Sequence, residues 1–109
     1  MSPNANYNRG TRFERELVNA LKACGARASR SAGSHGLWDV VAYVDSMEAH
    51  APISELFEWS STEQPPHGYE FFDWVAYYPH GRLEKRCYIK VVHSDPDEWV
   101  YLIQTKVTS

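Results

Sequence analysis

Apolar residues recur at helical intervals near the start of the chain and at strand intervals in its second half. In TRFERELVNALKACG, residues 11–25, Phe13, Leu17, Leu21 and Cys24 return every three or four positions, flanked by Val18 and Ala20. That spacing predicts an amphipathic helix. Thr11 followed by Glu14 fits an S/T-x-x-E capping box, and Gly25 supplies a stop. With successive residues turned by about 100°, Glu14 falls inside the apolar arc, whereas Arg15 and Lys22 fall opposite it. Glu14 is therefore expected to face the interior or a cleft.

Strand-like runs follow. ARASR predicts a short strand, and LWDVVAYV, rich in β-branched and aromatic residues, a strong one beginning beside Asp39. Between Asp45 and His67 the pattern weakens into an acidic, partly apolar piece with a Pro-Pro break. YEFFDWVAYY, EKRCYIKVVH and EWVYLIQTKV then read as three strands of an antiparallel meander, separated by the turn signals PHGR and SDPD.

The 109 residues, 43% of them hydrophobic, suffice for one small core and one domain, 1–109. The formal net charge of −3 excludes a protein that coats nucleic acid by bulk charge. Its distribution changes that picture. Residues 1–37 carry six basic and two acidic side chains, 6 − 2 = +4, and the remainder five basic and twelve acidic, 5 − 12 = −7. A basic face at the N-terminal end able to meet phosphate is one reading, and a solvated helix surface the other. Cys24 and Cys87 make no disulfide framework. Without a signal peptide or a membrane-length apolar run, an intracellular, cytoplasmic setting is expected. The five histidines are scattered, none at zinc-ligand spacing.

Candidate chemistry gathers in four pieces: Glu14 on the helix, the Ser31–Ser34 loop, Asp39 at a strand mouth, and Gln104-Thr105-Lys106 on the last strand. Side chains alternate along a strand, so Gln104 and Lys106 share a face. If that strand lies beside the Asp39 strand, a carboxylate, an amide oxygen and an ammonium meet in one patch. Oxygen ligands short of a full shell suit Mg²⁺, which keeps waters and takes phosphate oxygens. A lysine beside it can orient or deprotonate water and offset charge on a phosphorane.

Taken together, YNRGTRFERELVNALKACGARASRSAGSHGLWDVVA and YLIQTKVT resemble the archaeal and phage-type Holliday junction resolvases of the PD-(D/E)xK, restriction-endonuclease-like superfamily. The resemblance covers roughly residues 7–44 and 99–108. It implies an α/β fold: a restriction-endonuclease-like core with the N-terminal helix on a mixed β-sheet, here with a β-rich insertion at about 46–98. It implies a Mg²⁺-dependent endodeoxyribonuclease, with Mn²⁺ as a substitute ion, cutting branched or duplex DNA as a homodimer. Carried over position by position, Asp39 is the main metal ligand and the Thr105 carbonyl another. Glu14 helps organise metal and water, and Lys106 is the catalytic lysine. Arg9, Arg12, Arg15 and Arg30 stand at basic positions expected to touch DNA, and Ser31 and Ser34 near the scissile bond. Gln104 replaces the usual acid. It keeps an oxygen ligand and loses a charge.

Plainer roles remain open for each residue. Glu14 would be a capping-box residue, Asp39 a carboxylate capping strand N–H groups, Lys106 a guard against edge pairing, and Gly33 and Gly36 turn formers. The aromatic residues of the insertion fit a core or an interface more readily than a base-stacking platform. The alternative to a nuclease is a catalytically inactive, nuclease-like module that binds DNA or protein.

Overall fold

The computed structural model describes residues 5–31, 38–80, 85–95 and 98–107. Helix α1 spans Ala5–Ala23, followed by strands β1 (Arg27–Arg30) and β2 (Val40–Val44). Helix α2 spans Met47–Glu55, and strands β3 (Glu58–Ser60), β4 (Trp74–Tyr78), β5 (Lys85–Asp95) and β6 (Glu98–Val107) complete the chain. The six strands form one sheet in the order β1-β2-β6-β5-β4-β3. Every neighbouring pair is antiparallel.

Two expectations are corrected here. The sheet is wholly antiparallel rather than mixed, because hairpins join β3 through β6 in sequence and β6 then docks antiparallel on β2. The capping box at Thr11 does not form. Helix α1 already runs from Ala5, so Thr11 and Glu14 lie inside it, where backbone N–H groups bond to carbonyls one turn earlier. The stop at Gly25 is as expected. Gly25 takes φ 102°, its N–H donates to the Lys22 carbonyl at 3.0 Å, and the Ala26 N–H donates to Leu21 at 3.2 Å. This pair of bonds is the Schellman motif, which needs a left-handed residue that glycine adopts without strain.

Both helices cover the same face of the sheet. Phe13, Leu17 and Leu21 of α1 and Ala49 and Ile53 of α2 pack with Val40, Ala42, Val44, Ile89, Tyr101 and Ile103 in one buried cluster. Burying each of the large side chains contributes about 1.5–3 kcal/mol relative to exposure. Helix α2 is absent from the sequence pattern because Pro52 lies within it, deleting one helical donor. Its start is held by Ser46, whose hydroxyl accepts the Glu48 N–H at 3.2 Å.

The opposite face carries a smaller cluster of Phe72, Val75 and Tyr88, with Tyr69 and Tyr77 against it. The segment between β3 and β4 lies over this face, fastened where the Tyr77 hydroxyl donates to the Glu63 carboxylate at 2.7–2.8 Å. The region expected as an insertion therefore supplies β3, β4 and β5 to the common sheet. Among the described residues no helix is long and apolar enough to cross a membrane.

A pH-sensitive contact ties α2 to the sheet. His50 Nδ1 lies 2.8 Å from the Tyr101 hydroxyl, and its ring stands edge-on to Trp99 at 4.1 Å. Burial, with a smaller effect of His93, holds its pKa below the ordinary 6.5. The unfolded chain thus takes this proton more readily, so the site's contribution to stability is complete above 6.5 and is lost as pH falls through the lower folded value. The thermal midpoint is expected to fall as pH drops below 6.5, with a shallower fall in His50→Phe, measured by circular dichroism.

Candidate active site

Glu14 lies one residue beyond Phe13 and so at the margin of the buried stripe of α1, next to the end of β1. There the Arg30 Nε donates to Glu14 Oε1 at 3.0 Å, with the glutamate side chain 19% exposed. The helix acid and the strand base hold each other in place. Arg30, expected to touch DNA, is engaged through this nitrogen within the protein. Arg12 and Arg15 are exposed on the outer side of α1.

Asp39 stands where β2 begins and is bonded on three sides. Its carbonyl accepts the Ser31 N–H at 2.8 Å, and its own N–H donates to the Ile103 carbonyl at 2.7 Å. Its Oδ2 accepts both the Thr105 N–H at 2.9 Å and the Thr105 hydroxyl at 3.2 Å. Ile103 is registered opposite Val40, so Asp39 and Val40 share one partner on β6, the two-against-one count of a β-bulge. Past that point β2 offers Thr105 no strand carbonyl, and the carboxylate takes its place. A carboxylate capping a strand N–H is thus realised here, and among the described residues no donor reaches Oδ1.

The stretch carrying Asp39 and the stretch carrying Gln104 to Lys106 are therefore neighbours, although Asp39 and Gln104 are 104 − 39 = 65 residues apart. Gln104 is registered opposite Tyr88 and alternates to the face away from Ile103 and Thr105. Its Oε1 is buried and, among the described residues, has no hydrogen-bond partner. Lys106 is registered opposite Arg86, and its side chain lies outside the described residues, as do Ser34 and the side chain of Arg9.

Unpaired buried acceptors are rare and costly, and the Gln104 amide oxygen, like the Asp39 carboxylate, is a donor type that suits a hard cation. Among the described residues no group of three or more His, Cys, Asp or Glu could hold a metal. Beyond the Asp39 carboxylate, any ion here would lean on amide, carbonyl and water oxygens.

Two contacts of this end of the sheet escaped sequence reasoning. The Thr105 hydroxyl bonds Asp39, a role for which a threonine inside a β-branched strand gives no distinguishing signal. Lys85 Nζ pairs with Glu16 Oε2 at 2.8 Å and lies 4.5 Å from the Phe13 ring centre, bracing α1 against β5. Cys87, opposite Thr105, is inert: burial, and to a lesser degree Asp39, push its thiol up to about 12.

Residues 5–53 match the family model of the archaeal Holliday junction resolvases. The matched stretch runs from the start of α1 into α2 and contains Glu14, Arg30, Ser31 and Asp39, while Gln104, Thr105 and Lys106 lie beyond it. No curated protein and no solved structure matches the chain.

Removing the Asp39 carboxylate tests its structural bond separately from any chemistry. Asp39→Ala leaves the Thr105 N–H without its acceptor and is expected to cost about 1–3 kcal/mol in urea unfolding. Asp39→Asn, which keeps an acceptor oxygen, is expected to cost less than half as much.

Proposed function

We propose that this protein is a metal-dependent, structure-selective DNA endonuclease that cuts branched DNA, with the four-way junction as its substrate. One observation carries the reading: the Asp39 carboxylate, inside the stretch similar to junction resolvases, binds the backbone of Thr105, the middle residue of Gln104-Thr105-Lys106. Mg²⁺, or Mn²⁺ in its place, would be held by Asp39, Gln104 and the Thr105 carbonyl, with Glu14 assisting. When bound, the ion supplies Lewis acidity to a phosphodiester and acidifies water.

The chain's own groups do the remaining work. Thr105 fixes one carboxylate oxygen of Asp39 and leaves the other for the ion. Arg30 fixes Glu14. Lys106 orients the attacking water and offsets charge on the phosphate as the P–O bond breaks, leaving a 5′-phosphate and a 3′-hydroxyl. Arg9, Arg12 and Arg15 meet DNA phosphates, which position the duplex without reading base sequence, and Ser31 and Ser34 approach the backbone at the cut. Paired nicks across a junction need two such sites and hence a homodimer. A DNA-acting nuclease of this kind works inside the cell.

The neutral amide of Gln104 favours a second reading, in which the nuclease frame binds DNA or protein without cutting. A synthetic four-way junction with purified protein separates the two. In Mg²⁺ the wild-type protein is expected to nick it near the branch point. Asp39→Asn is expected to lower the nicking rate at least a thousandfold while binding the junction in EDTA with unchanged affinity. Tight binding by the wild-type protein with no nicking in Mg²⁺ or Mn²⁺ overturns the nuclease reading.

A further inference from the structure

The adjacent pair Phe71-Phe72, between β3 and β4, is split between inside and outside. Phe72 is 2% exposed and belongs to the cluster on the helix-free face of the sheet, whereas Phe71 is 41% exposed. The buried ring anchors the exposed one edge-on, with ring centres 5.5 Å apart and planes at 90°. Trp38 stacks against Phe71 at 6.2 Å with planes 24° apart. Lys90 Nζ lies 4.9 Å from the Phe71 ring centre. The same ammonium forms an ion pair with Asp73 Oδ2 at 3.6 Å, with both side chains partly exposed. The result is an aromatic step with an ammonium over the Phe71 ring.

Its position links the step to the candidate active site. Trp38 immediately precedes Asp39, and consecutive Cα atoms lie about 3.8 Å apart. Lys90 is registered opposite Leu102 on the same face as Gln104. Phe71 and Lys90 thus lie on the face of the sheet that carries Gln104, and Trp38 is the chain neighbour of Asp39.

We propose that Phe71 and Trp38 form a stacking platform for an unpaired nucleobase beside the scissile phosphate, with Lys90 meeting the phosphate that follows that base. Every nucleobase has a π-face, so such a platform is sequence-tolerant, and it distinguishes a branch point from uninterrupted duplex, whose bases already stack on one another. The exposure of Phe71 is what an interior role would not produce, as its buried neighbour shows. The platform rests on the nuclease reading and adds the means by which branched DNA would be preferred.

The test is binding in EDTA, so that no cleavage intervenes, of a fluorescein-labelled four-way junction and of a fully paired duplex of the same length. Phe71→Ala is expected to weaken junction binding about tenfold, the size of one lost base–aromatic stack, while leaving duplex binding within about twofold. Phe71→Trp is expected to restore it. A 2-aminopurine placed at the branch point is expected to be quenched by wild type and by Phe71→Trp, and not by Phe71→Ala. Unchanged junction binding in Phe71→Ala, or equal loss on junction and duplex, overturns the platform while the nuclease reading stands. If the wild-type protein binds neither DNA, both fall.

Discussion

The pairing of β2 with β6 is the contact on which the arrangement of this molecule depends. Val40 to Val44 run antiparallel to Trp99 to Ile103, joining stretches of chain more than fifty residues apart. Closing so long a loop costs entropy that only contacts made afterwards can offset. Those contacts are the buried rows on the helix side, where Val40, Ala42 and Val44 meet Tyr101 and Ile103 beneath Phe13, Leu17 and Leu21. A slip of one residue in this register would turn those side chains to the other face. It would also take the Asp39 carboxylate away from Thr105.

The end of the sheet beside Asp39 is organised by mutual restraint among polar groups. Arg30 holds Glu14, Thr105 holds one oxygen of Asp39, and Lys85 holds Glu16 while covering Phe13. Exposed ion pairs contribute little to stability, about 0–1 kcal/mol, so their value lies in fixing where acids point. The Asp39 contact is of another kind, since it satisfies a strand N–H that would otherwise be stranded beyond the start of β2. One residue thus serves the sheet with one carboxylate oxygen, while among the described residues no donor reaches the other. Gln104 stands apart from this group, its oxygen buried on the face that carries Tyr88 and, among the described residues, unpaired.

The two faces of the sheet have divided their tasks. Helices α1 and α2 close one face with an aliphatic core, and the segment leading into β4 covers part of the other with tyrosines and phenylalanines. What reads as an insertion is structural, because β3, β4 and β5 extend the shared sheet beyond β6.

Much of this was legible in the residues themselves. The apolar spacing of Phe13, Leu17 and Leu21 marked the helix, Gly25 its end, and β6 follows the predicted run EWVYLIQTKV from its first residue to its last. These features are local: period, capping chemistry and β-branching act within a few residues. The start of α1 was misplaced because Thr11 and Glu14 form a capping signature that is meaningless once the helix has begun upstream. Helix α2 was invisible because Pro52 breaks the local pattern while Ala49 and Ile53 gain their burial from distant strands. The likeness in the first half of the chain named Glu14 and Asp39 as residues of interest. Only the folded sheet decided that Glu14 meets Arg30, that Asp39 caps Thr105, and that Gln104 turns to the other face, since register and alternation are properties of paired strands rather than of any one of them.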